Sequence, residues 1–110
     1  MEGAGSLMKN YFYFESRPNE PNQYLIRANF GRLPLHYTEG SFNLLPARLL
    51  NISYANYCRL CRDECNAIIQ GKNSLYPIVI FDSKKSSENL LKLLNQRMEE
   101  VIKERNAYGI

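Results

Sequence analysis

Between Ala47 and Gly71 the chain reads ARLLNISYANYCRLCRDECNAIIQG, and apolar positions recur there at spacings of three and four. Tyr57, Cys58, Cys61, Cys65, Ile68 and Ile69 share one helical face, and Arg59, Arg62, Asp63, Asn66 and Gln70 share the other. Ser53 is placed to cap the start, with Ile52 before it and Tyr57 after it as a hydrophobic staple. Gly71 is placed to end the helix, because glycine takes the left-handed conformation of many helix exits. The spacing therefore predicts one amphipathic helix over residues 53–71 that needs a core to lie on.

The remainder of the chain has to supply that core. A length of 110 residues with 45% hydrophobic and 23% charged residues fits a single domain that needs no disulfide or metal staple. No apolar run approaches the roughly 18 residues of a membrane span, and the start MEGAGSLM has neither the basic nor the apolar region of a secretory signal. Three cysteines crowded into one helical segment do not form a disulfide framework, so a soluble protein of a reducing compartment, the cytoplasm, is expected. Residues 1–9 read as a disordered or vector-derived start with Met8 as the natural initiator, residues 10–106 as the domain, and residues 107–110 as a flexible tail. The net charge of +3 is spread along the chain rather than gathered in a basic block.

Residues 10–15, NYFYFE, predict a strand with Tyr11 and Tyr13 on one face and Phe12 and Phe14 on the other. The proline-bearing stretch SRPNEPN reads as a long loop, and residues 23–30 as the strand returning from it. Residues 33–37 suggest a third strand kept near an edge by Pro34, residues 38–41 a turn around Gly40, and residues 43–50 a short helical turn. YPIVIF at 76–81 predicts a central strand covered on both faces. Ser86 then caps a second amphipathic helix that reaches about Asn106, with Glu88 in its first turn. Its stripe is Leu90, Leu91, Leu94, Met98, Val101 and Ile102. The reading is an α+β fold of β-β-β-α-β-α order, a small mostly antiparallel sheet with two amphipathic helices packed on one face.

Cys58, Cys61 and Cys65 invite a metal or redox reading, which helical geometry opposes. A rise of about 1.5 Å per residue sets Cys58 and Cys65 roughly 10 Å apart, beyond the reach of one ion at about 2.3 Å. The only histidine, His36, would be an outside ligand, and no fourth partner stands out. A redox C-x-x-C belongs at a helix N-terminus, whereas Ser53 starts this helix a turn earlier. The three thiols are expected as small buried hydrophobes, with no metal and no cofactor.

Ala47, Leu50, Ile52, Ser53, Tyr57 and Leu60 occupy places where a helix-turn-helix carries its small, apolar and turn residues, and residues 47–62 resemble that motif. Its usual turn glycine is Asn51 here. The resemblance implies a reading helix with Tyr54, Ala55, Asn56 and Arg59 toward the major groove and Arg62 near phosphates. Tyr11, Tyr13 and Tyr24 with Arg27 offer a base-stacking sheet face, although the RNP signature is missing and an aromatic core face explains them more simply. Asp82, at the end of the apolar strand, has the position of many catalytic acids and of many turn residues. No nucleophile elbow, phosphate loop, paired metal carboxylates or dinucleotide fingerprint is present, so nothing supports an enzyme.

The reading that results is a small non-catalytic binding or regulatory protein acting through protein–protein contacts, its partner another protein or a second copy of itself, with no membrane role. Frequent Asn, Tyr, Ile and Lys suit an origin in a bacterium or its phages and mobile elements. Arg17 and Tyr24 are the candidate contact residues, being types enriched at interface hot spots. The alternative is a DNA-binding regulator that uses Tyr54, Asn56, Arg59 and Arg62.

Overall fold

In a computed structural model of the chain, residues 10–33 and 44–107 are described. The elements run β1 (Phe12–Arg17), β2 (Glu20–Ala28), a 3-10 turn (Phe30–Arg32), α1 (Leu45–Leu49), α2 (Tyr54–Cys65), β3 (Ile68–Gln70), β4 (Ile78–Ile80) and α3 (Lys84–Ala107). The fold is α+β, and the order of elements follows the sequence reading with one helix and one strand redrawn. The third strand expected at 33–37 lies outside the described residues apart from Leu33, which leaves the 3-10 turn buried. The turn at 38–41, the start at 1–9 and the tail beyond Ala107 also lie outside them.

The long loop expected between the first two strands is instead a tight turn. β1 runs on to Arg17 and β2 begins at Glu20. Register explains how Pro21 is tolerated: Ser16 faces Tyr24 and Arg17 faces Glu20, so residues 21–23 bulge from β2 where no ladder bond is required of a proline. At the other end the Asn29 N–H donates to the Tyr11 carbonyl at 2.7 Å and closes the ladder. Phe12, Phe14, Tyr24 and Ile26 fall on the core face of the hairpin, Tyr13 and Arg27 on the outer one.

The helix expected over 53–71 stops at Cys65. Asn66 takes the left-handed conformation (φ 56°), and the Ala67 N–H donates back to the Cys61 carbonyl at 3.1 Å. Ile68 and Ile69, whose spacing continues the helical stripe, belong to β3 and pair with Ile80 and Val79 of β4. Gly71 (φ 79°) therefore serves the turn between β3 and β4, where the Ser74 N–H donates to its carbonyl at 2.8 Å.

The one small sheet expected is instead two antiparallel two-stranded sheets, β1 with β2 and β3 with β4, so YPIVIF supplies only the three-residue β4 and not the central strand of a larger sheet. β4 pairs with β3 on one side, and on the other a single antiparallel bridge between Tyr24 and Phe81 links it to β2 through two bonds of 2.8 Å. Val79, Ile80 and Phe81 are buried while Ile78 is half exposed, so coverage on both faces begins only after Ile78.

α3 begins at Lys84, two residues before the expected cap. Ser83 is the cap, its hydroxyl accepting from the Ser86 N–H at 3.3 Å, and no acid lies in the first turn, so Glu88 is too far along to meet the helix dipole. Ser86 instead donates its hydroxyl proton to the Cys65 carbonyl at 3.1 Å and ties α3 to the end of α2. The stripe is as read: Leu90, Leu94 and Met98 are buried, with Leu91, Val101 and Ile102 packed at its margins against a core that includes Phe12, Leu45, Tyr57, Cys61 and Phe81. No helix among the described residues is long and apolar enough to cross a membrane.

One polar residue interrupts that stripe and fixes its position. The Asn95 carbonyl oxygen accepts from the Tyr11 and Phe12 backbone N–H groups at 2.7 and 2.8 Å, and its amide donates to the Phe12 carbonyl at 3.2 Å. A side chain thus bonds to the outer edge of β1 as a neighbouring strand would. One turn on, Glu99 accepts from the Tyr11 hydroxyl at 2.6 Å. Asn95→Ala would leave three buried backbone groups without partners, and the expected loss is about 2 to 4 kcal/mol at unchanged m-value in urea unfolding. A loss below about 1 kcal/mol would show that this edge is not held by Asn95.

Candidate functional site

α1 and α2 meet at a tight corner. Pro46 sits in the first turn of α1, where its missing N–H breaks no helical bond, and Asn51 supplies the left-handed residue (φ 60°) at the corner. Ser53 caps α2 as expected, accepting from the Asn56 N–H at 3.1 Å. Helix phase then divides the side chains. Tyr57, Cys58, Cys61 and Cys65 are buried, while Ala55, Asn56, Arg59 and Arg62 are exposed.

The three thiols are free and inward, as the periodicity indicates. Burial raises the Cys58 and Cys65 thiols above their ordinary range and pushes Cys61 up to about 12. Neutral thiols of this kind are poor nucleophiles. Among the described residues no group of three or more His, Cys, Asp or Glu side chains is disposed to hold a metal ion, and His36 lies outside those residues.

The outer face of α2 has a neighbour that its sequence does not announce. The segment joining β3 to β4 folds back along it, and the Tyr54 hydroxyl donates to the Pro77 carbonyl. The Tyr54 ring lies between Tyr57 (6.0 Å) and Tyr76 (6.1 Å, edge-on). Between helix and segment runs a groove of about 340 Å³. Arg59 and Arg62 line it from the helix, Lys72, Leu75 and Pro77 line it from the segment, and the buried Cys58 and half-buried Ile69 complete the apolar part of its lining. No acid lines it among the described residues. Leu75 is 80% exposed, the most exposed of the large apolar side chains described.

The cations on the helix wall are held loosely. Arg59 donates from Nη1 to Asn56 Oδ1 at 3.0 Å, and Arg62 Nε lies 3.1 Å from Asp63 Oδ1 with both side chains more than half exposed. Pairs this exposed contribute little to stability and leave most guanidinium donors free for a ligand.

The residues proposed from sequence are thus partly assembled. Tyr54, Arg59 and Arg62 line one groove, with Tyr54 engaged in packing rather than projecting, and Asn56 beside them on Arg59. Arg17 and Tyr24 lie at the same end of the hairpin but have separate partners: Arg17 donates to Gln23 at 2.8 Å, and Tyr24 packs edge-on to Phe14 with the Lys84 ammonium 5.0 Å from its ring. The base-stacking set is scattered, since Tyr11 is buried on Asn95 and Glu99, Tyr24 faces the core, and Tyr13 sits opposite Arg27 on the outer face, where Arg27 pairs with Glu15 at 3.4 Å. Asp82 is exposed in the bend before α3. Lys72 and Leu75 are the groove residues that sequence reasoning passes over; the available signal is a bare leucine inside the turn-rich run KNSLYP.

No protein-family model matches the chain, and no curated protein or solved structure matches it.

Buried protonated groups give the fold a pH dependence of definite sign. Cys61 and Tyr11 both lie near 12 in the folded state, Tyr11 because of burial and its hydrogen bond to Glu99, whereas unfolded chains ionise near 8.5 and 10. Their contribution is complete below about pH 8.5 and falls away as pH climbs through the folded values. Urea midpoints are expected to hold steady between pH 6 and 8 and to decline above about pH 9, and at pH 8 a disulfide reagent is expected to reach Cys61, which is fully enclosed, only after denaturant is added. Reaction of Cys61 at the free-cysteine rate in the native protein would contradict the burial.

Proposed function

We propose that this protein is a non-catalytic binding module acting through protein–protein contacts, and that its docking surface is the groove between α2 and the segment joining β3 to β4. The observation that carries the reading is Leu75, an apolar side chain left 80% exposed in a groove that three cations and the less exposed Cys58 and Ile69 also line. A small apolar anchor with a polar rim is the common anatomy of a protein-binding patch. Arg17 and Tyr24 have lesser parts, because each already has intramolecular partners. Three protonated buried thiols suit a reducing compartment, and we place the protein in the cytoplasm on that basis.

A second reading has its own support. The left-handed Asn51 in the corner and the exposed Asn56, Arg59 and Arg62 on the following helix suit a DNA-binding regulator. Protein binding is favoured because the segment lying along α2 broadens the element that would have to enter a major groove about 12 Å wide.

Affinity capture with the immobilised chain is expected to retain a specific protein that Leu75→Ser and Lys72→Glu variants, at exposed positions lining the groove, lose while keeping the wild-type urea midpoint. Capture unaffected by both variants would remove the groove from the mechanism. A labelled duplex titrated at two salt concentrations addresses the second reading: steeply salt-dependent binding weakened by Arg59→Ala with Arg62→Ala would favour it.

A further inference from the structure

We propose that the groove takes an extended peptide segment in which acidic and apolar side chains alternate, its carboxylates on Arg59 and Arg62 and its apolar side chains against Leu75 and Pro77. The inference rests on the protein-docking reading above and adds the chemistry of the partner. Charge complementarity selects the acids. Three cations border the cavity with no carboxylate in its lining among the described residues, and Asp63, which is paired with Arg62, engages one Nε. A guanidinium has five N–H donors, so each arginine keeps several after its contact with Asn56 or Asp63.

Spacing selects an extended chain with alternation. Arg59 and Arg62 are three residues apart on one helix, which puts their Cβ atoms about 5 to 6 Å apart. Alternate side chains of an extended segment project to the same side about 6.6 Å apart, a close match to that interval. The intervening side chains project to the other side, which in this groove is the apolar wall of Leu75 and Pro77. Lys72, which also lines the groove, would meet a further acid. A polyanion such as single-stranded nucleic acid would satisfy the cations but leave the leucine wall against phosphates or sugars.

The test is fluorescence polarisation with the full chain and labelled ten-residue peptides flanked by Gly-Ser: alternating Glu and Leu, alternating Gln and Leu, and alternating Glu and Ser. A single-stranded oligodeoxynucleotide serves as the phosphate probe. The Glu–Leu peptide is expected to bind about tenfold more tightly than either control, to weaken as salt rises, and to lose its advantage over Gln–Leu in the R59E/R62E double variant. Both arginines are exposed, so the variant is expected to fold, as circular dichroism would verify. Equal binding of the Glu–Leu and Gln–Leu peptides, reduced together by Leu75→Ser, would overturn the acidic preference and leave the docking groove standing. Binding of the oligonucleotide alone, lost in R59E/R62E, would overturn both. Binding of no probe would overturn the acidic segment, with lysate capture left to decide the docking reading separately.

Discussion

The rest of the structure depends on the side-chain amide of Asn95. A two-stranded hairpin exposes an outer edge whose N–H and C=O groups need partners, and a long amphipathic helix has no intrinsic reason to stop sliding along its apolar stripe. Three hydrogen bonds from one side chain to Tyr11 and Phe12 answer both requirements. With the helix fixed in rotation and register, Leu94 and Met98 meet Phe12 in a core that also receives the sulfur-bearing face of α2. The Ser86 bond to the Cys65 carbonyl then fixes where α2 ends relative to α3.

From that point the groove follows with little further freedom. Because Cys58, Cys61 and Cys65 are drawn inward, helix phase turns Arg59 and Arg62 outward, so the thiols act by orienting two cations rather than by chemistry of their own. Asn66 stops the helix early enough for three residues to become β3, and the short hairpin that results carries Lys72 and Leu75 back alongside the same helix. A helix continued to Gly71 would leave no opposite wall.

How far the residues announce these features varies with the range of the interaction behind each. The α3 stripe, the Ser53 cap and the inward cysteines were legible, because periodicity and capping are local. The end of α2 was not: Ile68 and Ile69 keep helical spacing after Cys65, and only the left-handed Asn66 and the pairing with Ile80 and Val79 decide between helix and strand. Asn95 looks like a flaw in an apolar stripe until the edge of β1, more than eighty residues away, is placed against it. At the site, Arg59 and Arg62 could be read from helix phase, whereas Lys72 and Leu75 become their neighbours only through the turn at Gly71.

The Tyr24–Phe81 bridge gives the molecule a mechanical character of its own. Two hydrogen bonds are the whole backbone seam between the hairpins among the described residues. A displacement of the β3–β4 hairpin therefore passes to β1 and β2 mainly through side-chain packing, and a close-packed interior transmits such strain rather than absorbing it. The cationic groove straddles that divide: Arg59 and Arg62 belong to the helix tied to α3 through Ser86, whereas Lys72 and Leu75 belong to the hairpin that meets β2 only at the bridge.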